Sequence, residues 1–226
     1  PEPVGLNGII LEDSSGIHLT NNLVGGMTEA GLLLRNSENN ILEGTEVLGN
    51  HIGIMLDSSF GNKLTRSRAI GNAQGFVLEG SGLNFLIDNF VRDSDCGIFL
   101  SMSNENSLLY NLILLNNVGV LLDSSNNVVF DSNYLQRNGF GLLSQGCSNG
   151  VLRGSVFFLN EHAIELDNSG GFIIDDNNVI HNDVGIALFN SMSANRIFHN
   201  LIITDTKPAI HDEISAWDDG VGEGNF

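Results

Sequence analysis

Residues 119–140, GVLLDSSNNVVFDSNYLQRNGF, decide the fold. The stretch opens on Gly119, alternates through Val120 and Leu122, bends at Ser124-Ser125-Asn126-Asn127, and runs on through Phe130. Asn133, Leu135 and Asn138 close it. At steps of 22 residues the opening glycine recurs as Gly31, Gly53, Gly75 and Gly97 on one side, and as Gly141, Ala163 and Gly185 on the other. Only the ends slip, with 23 residues between Gly8 and Gly31 and 24 between Gly185 and Ala209. A fixed period of this length marks a solenoid, in which each repeat buries its apolar side on its neighbours.

The columns of the repeat describe one coil. The first apolar column is Leu32, Ile54, Phe76, Ile98, Val120, Leu142, Ile164 and Ile186, and two places further on stand Leu34, Leu56, Leu78, Leu100, Leu122, Ser144, Leu166 and Leu188. These two columns share one face of a strand, because side chains alternate with period two. Further columns run Leu42, Leu64, Leu86, Leu108, Phe130, Leu152, Ile174 and Val47, Ala69, Val91, Ile113, Leu135, Phe157, Val179, Leu201. Three short apolar pieces between polar bends predict three strands per coil and no helix. The polar columns are as regular: Ser37, Ser59, Ser81, Ser103, Ser125, Ser169 and Ser191 with Cys147 interposed, Asn50, Asn72, Asn116, Asn138, Asn160 and Asn182, and Asn89, Asn111, Asn133 and Asn177. Coils stacked about 4.8 Å apart let each amide bond the next, and asparagine also suits tight, left-handed bends.

The repeat, of the form G-I-x-L-x-x-S-x-x-N-x-I-x-x-N-x-I-x-x-N, resembles the NosD-like, pectin-lyase-like group of right-handed parallel β-helices over residues 8–212. The tail Trp217-Asp218-Asp219-Gly220 with Gly224-Asn225-Phe226 resembles the segment that closes NosD-like blocks. The resemblance implies an all-β, single-stranded right-handed parallel β-helix of about ten 22-residue coils. It does not fix a function, since lyases, epimerases, tailspikes, copper-site maturation factors and adhesins share that coil. The expected organisation is one domain over 1–226: a lead-in at 1–7, regular coils at 8–208, and a last partial coil with an acidic closing tail at 209–226. The chain starts at Pro1 without methionine and shows no signal peptide, as expected of a mature or excised fragment.

Composition excludes several classes. Twenty-seven acidic against nine basic residues give a formal charge of −18, which argues against nucleic acid as a partner. No apolar run is long enough to span a membrane. The motifs of mannuronan epimerases (D-P-H-D) and polygalacturonases (N-T-D, G-H-G, R-I-K) are missing, as are phosphate loops and cysteine pairs. Cys96 and Cys147 fall in different columns and read as buried thiols. Six histidines without regular spacing and scattered methionines do not support copper or zinc.

Three groups remain as candidate sites. Asp131, Arg153 and Asp175, with Asp176 beside them, stack on successive coils; they form either a salt-bridge ladder or a lyase-like site with Arg153 as base. Glu161, Asp183 and Asp205 stack without an intervening cation, and either splay into water or share Ca²⁺. Residues 107–118, SLLYNLILLNNV, put Leu109, Leu114 and Leu115 in columns that are polar elsewhere, an outward apolar stripe suited to contact. Trp217 and Phe226 are expected to bury apolar area at the far end. The leading expectation is a non-catalytic extracellular or cell-surface structural β-helix, or a periplasmic one, that self-associates or contacts other surface components and requires no cofactor. The alternatives are a carbohydrate-active lyase or epimerase, and a glycan-binding module or adhesin.

Overall fold

The computed structural model describes residues 6–210, 214–218 and 224–225. Its strands form three parallel sheets: a wide one of ten strands, Ile9–Glu12 to Lys207–Ile210, and two of nine, His18–Thr20 to Arg196–Phe198 and Leu23–Gly25 to Leu201–Ile203. Each strand pairs with the one three elements on, so the chain winds as a right-handed solenoid of about nine turns; the described residues include no helix. The register is in phase, Leu100 facing Leu122 and Leu108 facing Phe130. Like side chains therefore stack along the axis.

Alternation within each strand fixes what fills the lumen. Leu32 and Leu34, Ile98 and Leu100, and Val120 and Leu122 are completely buried in one continuous core with Leu42, Val47 and their equivalents. The repeat-opening glycines stand inside the strands of the wide sheet, where the next rung comes close. A Cβ on Gly119 would lie 2.6 Å from the carbonyl oxygen of Gly141, closer than any side chain tolerates.

Ladders close the corners. In each, a backbone N–H donates to the side-chain oxygen one rung on: Asn50 N to Asn72 Oδ1 at 2.9 Å, Asn138 N to Asn160 Oδ1 at 2.9 Å, Ser81 N to Ser103 Oγ at 2.9 Å. The amide Nδ2 donates to the next Oδ1 and to a strand carbonyl, as Asn138 does to Asn160 and Ile113. Most buried polar groups of the corners are thereby matched, which is the condition for burying them; Thr45 Oγ1, in the column of Ser67 and Asn89, is an exception. Cys147 Sγ substitutes for a hydroxyl, accepting from Ser125 N and donating to Gln145 O, so its column continues unbroken.

Three details depart from the sequence reading. The left-handed bend falls not on the ladder asparagines but on the residue before them, whatever its type: Asn39, Tyr110, Leu115, Arg137, Leu159 and His181 all have φ near +55°. A fourth buried ladder runs Asn40, Asn62, Asn84 and Asn106, is replaced by Val128, Gly150 and Phe172, and resumes at Asn195. Finally, one extra residue enters between Phe189, which faces Asp167, and Asn195, which accepts from Phe172 N. That insertion removes Ser191 from the serine column, puts Ile202 rather than Leu201 opposite Val179, and puts Ala209 opposite Ile186. Pro208, and not Ala209, therefore takes the repeat-opening place against Gly185.

Candidate functional site

The Asp131–Arg153–Asp175 column is in register on three successive rungs of the second sheet. Arg153 Nε lies 3.1 Å from Asp131 Oδ2, and Ser132 Oγ donates to the other oxygen of that carboxylate at 2.7 Å. Asp175 is different: its buried Oδ1 has no hydrogen-bond partner. Burial, and then the neighbouring Asp176, raise its pKa against the opposing pull of Arg153 and His199. Arg153 is itself exposed, with its Nε already in contact with Asp131. The residues thus stack in one column on the outer side of the sheet, with Asp131 and Arg153 ion-paired and Asp175 outside that pair.

Glu161, Asp183 and Asp205 also stand on successive rungs, at the corner leading into the wide sheet, and all three are exposed. Asp205 Oδ1 is 3.2 Å from His181 Nδ1. Among the described residues, no three His, Cys, Asp or Glu side chains gather as a metal-binding group. Leu109 and Leu114 are half-buried and Leu115 is 46% exposed. Leu109 stacks beside Ile87, and Leu112 beside Phe90. Trp217 packs on the last rung of the core, while Phe226 lies outside the described residues.

A longer apolar surface lies elsewhere. Between the two inward columns of the wide sheet, one outward column runs Leu33, Met55, Val77, Phe99, Leu121 and Leu143 over six consecutive rungs. Leu33 and Val77 are nearly buried by their neighbours although they stand outside the core cluster; the other four are half-buried. Ile52, Val118 and Phe140 flank that column on the same face. At the next rung the chemistry changes: His162 meets the ring of Phe140 and places Nδ1 2.8 Å from Glu165 Oε2. Along the strip's own rungs one edge reads Arg35, Asp57, Glu79, Ser101, Asp123 and Gln145, and the other carries Glu29 and Asp95; Asp167, Glu161 and Asp183 continue the acidic edges on the rungs that follow. Attention to inward columns alone hides this surface. Its signal in the sequence is the apolar residue between each inward pair.

Two shallow cavities interrupt the corners, each where glycine breaks an outward column. One, about 340 Å³, is cut at Gly80 and Gly82 and walled by Phe60, Leu83 and Met102. The other, about 360 Å³, is cut at Gly139 between Asn117 and Glu161 and walled by Leu115, Leu159 and Arg137. Neither includes Asp131, Arg153 or Asp175.

Comparison with known proteins places the coil. The sequence profile described as periplasmic copper-binding protein (NosD) matches residues 4–118 and 86–226. Among curated proteins no sequence matches the chain. Among solved structures, a periplasmic alginate epimerase AlgG is similar over 96% of this chain and 77% of its own, with 12% identity and a TM-score of 0.66. The A-module of an Azotobacter vinelandii mannuronan C-5 epimerase matches over 94% and 79%, with 15% identity and a TM-score of 0.63. The Dettilon tailspike protein matches over 91% and 61%, with 14% identity and a TM-score of 0.60. At such identities these likenesses speak to the fold alone.

The copper named in the profile's description does not fit the donors here. Cys147 is locked into a corner ladder and burial raises its pKa; Cys96 is pushed up to about 12, chiefly by burial. A copper-binding thiol must give up its proton, and neither site favours that. His18, His162 and His181 each face a different carboxylate.

Proposed function

The chain belongs to the NosD family, described as periplasmic copper-binding proteins, and from that premise we propose that it works outside the cytoplasm as a non-catalytic β-helix scaffold. The observation that carries this reading is the outward apolar column Leu33–Met55–Val77–Phe99–Leu121–Leu143 between acidic borders. Six stacked rungs offer a straight contact strip roughly 24 Å long. Apolar strips of this kind mark contact surfaces. The borders select the partner by charge: a ridge of apolar side chains flanked by lysine or arginine fits, whereas a second copy brings like charges to the same edges. The Asp131–Arg153 ion pair supports the non-catalytic half of the reading, since the arginine Nε is already engaged by a carboxylate of the chain itself.

The test uses a synthetic amphipathic Leu/Lys helical peptide and measures binding and particle size by sedimentation. Wild-type protein is expected to bind the peptide and to remain monomeric alone. The double variant Phe99→Ser/Leu121→Ser, of unchanged charge, is expected to lose about tenfold or more in affinity. Equal binding by the double variant would remove the scaffold face. Self-assembly that the same substitutions dissolve would make a second copy the partner. Cleavage or epimerisation of a polyuronate that Arg153→Gln abolishes would replace the reading with a catalytic one.

A further inference from the structure

We propose that the notch over Gly139 is a binding site for a carboxylated sugar residue, with Arg137 gripping the carboxylate. This goes beyond the scaffold reading and is decided separately from it. Arg35, Arg66, Arg68, Arg92 and Arg153 each face a carboxylate, and Arg196 lies over the ring of Phe198. Arg137 alone among the described arginines has no ion pair and no ring beneath it. In a chain of 27 acidic and nine basic residues, an unpaired guanidinium on the wall of a cavity is a conspicuous exception.

Its position is fixed by the backbone. Arg137 occupies the left-handed bend, φ +54°, immediately before Asn138, whose amide is tied to Asn160 Oδ1 and Ile113 O. The side chain therefore starts from a rigid corner. Leu115 and Leu159 occupy the same bend one rung to either side, so apolar side chains flank the guanidinium. That setting lowers the competition from water and favours a planar, two-point contact with a carboxylate.

The opposite wall defines the rest of the ligand. It carries the Asn117 amide and the Glu161 carboxylate, with Gly139 leaving the floor open between them. Asn117 is already held by Asp95 Oδ1 at 3.1 Å, which fixes its amide nitrogen and leaves its oxygen to accept. Glu161 accepts hydrogen bonds and repels a second anion. A body with one carboxylate toward Arg137 and hydroxyls toward Asn117 and Glu161 satisfies every group. A ring of pyranose size fits a cavity of about 360 Å³.

The experiment titrates ¹⁵N-labelled full chain with sodium D-glucuronate, D-glucose and acetate, following amide shifts. Glucuronate is expected to move residues 115–117, 137–139 and 159–161, and glucose and acetate to do so far more weakly. Arg137→Gln is expected to weaken glucuronate binding about tenfold, Arg137→Lys to restore part of it, and Arg68→Gln to leave it unchanged. Each variant is an exposed side chain, so the amide spectrum itself reports that the fold is intact. The proposal fails if Arg137→Gln binds as wild type does, if acetate matches glucuronate, or if glucuronate up to about 50 mM moves none of these amides.

Discussion

The two ends of the solenoid finish in opposite ways. At the first rung, Ile9, Leu11, Leu19 and Val24 lie over the core and are only partly buried among the described residues. At the last, the tail comes back: Ala216 pairs with Arg196, Trp217 packs on the core, and Asn225 bonds Asn200 and Ile197. The contrast follows from the direction of the ladders. In the buried corner ladders a backbone N–H donates to a side-chain acceptor of the following rung. The first rung therefore needs no polar side chain at those places, and Ser14, Ile17 and Met27 simply donate to Ser37, Asn40 and Asn50. The last rung has donors with no rung beyond. Ser215 Oγ answers Asn195 N, and Asn225 Oδ1 answers Asn200 N. One end is left with an apolar demand, the other with a hydrogen-bonding one.

The middle of the rod sets the scale against which either end is judged. Leu122→Ala, fully buried with rungs on both sides, is expected to cost about 2–5 kcal/mol, whereas the same truncation at half-buried Leu19 should cost a fraction of that. Chemical denaturation of the two variants measures the difference. Equal losses would mean that the first rung is as well covered as the centre.

The asymmetry of the ladders is sharpened by Asn225→Ala, which strips the acceptor from Asn200 N and Nδ2. A loss of about 1–3 kcal/mol is expected, with faster hydrogen exchange at Asn200. Ile17→Ala, at a ladder place of the first rung, removes no hydrogen bond and should cost less. If Ile17→Ala proves the costlier change, directional ladders do not explain the ends.

The smallest effect concerns Asp175 near the closed end. Its raised pKa means the folded state resists its ionisation, so it favours folding below the ordinary carboxylate range and opposes it as pH rises through the folded value. Asp175→Asn should therefore raise the melting temperature by a degree or two at neutral pH, and the gap should close below about pH 4. A variant less stable than wild type at pH 7 would mean that attraction to Arg153 outweighs burial.

How much of this was legible depended on what the period reports. Columns at 22-residue steps give the lumen, the corners and the stacking of Asp131 on Arg153 on Asp175, because in-phase register converts sequence distance directly into axial contact. The period is silent about anything that breaks it. The extra residue before Asn195 shifted Ser191, Leu201 and Ala209 out of their expected places. The bends escaped too, since Arg137, Leu115 and Tyr110 adopt positive φ under the compulsion of the corner and against their own preference. Of the Gly139 notch, the sequence held one clue: glycine at 139 where Asn117 and Glu161 stand one period away.

The gap in the fourth ladder has a meaning for how such a chain changes over generations. Val128, Gly150 and Phe172 replace three stacked amides, and the Phe172 ring fills the space that any side chain at Gly150 would need. A larger residue at Gly150 collides with that ring, and an asparagine at Phe172 leaves its place above Gly150 half empty. The three positions are thus a linked inheritance: each is permissible because of the others, and a substitution tolerated in one lineage is closed to another that kept the amides.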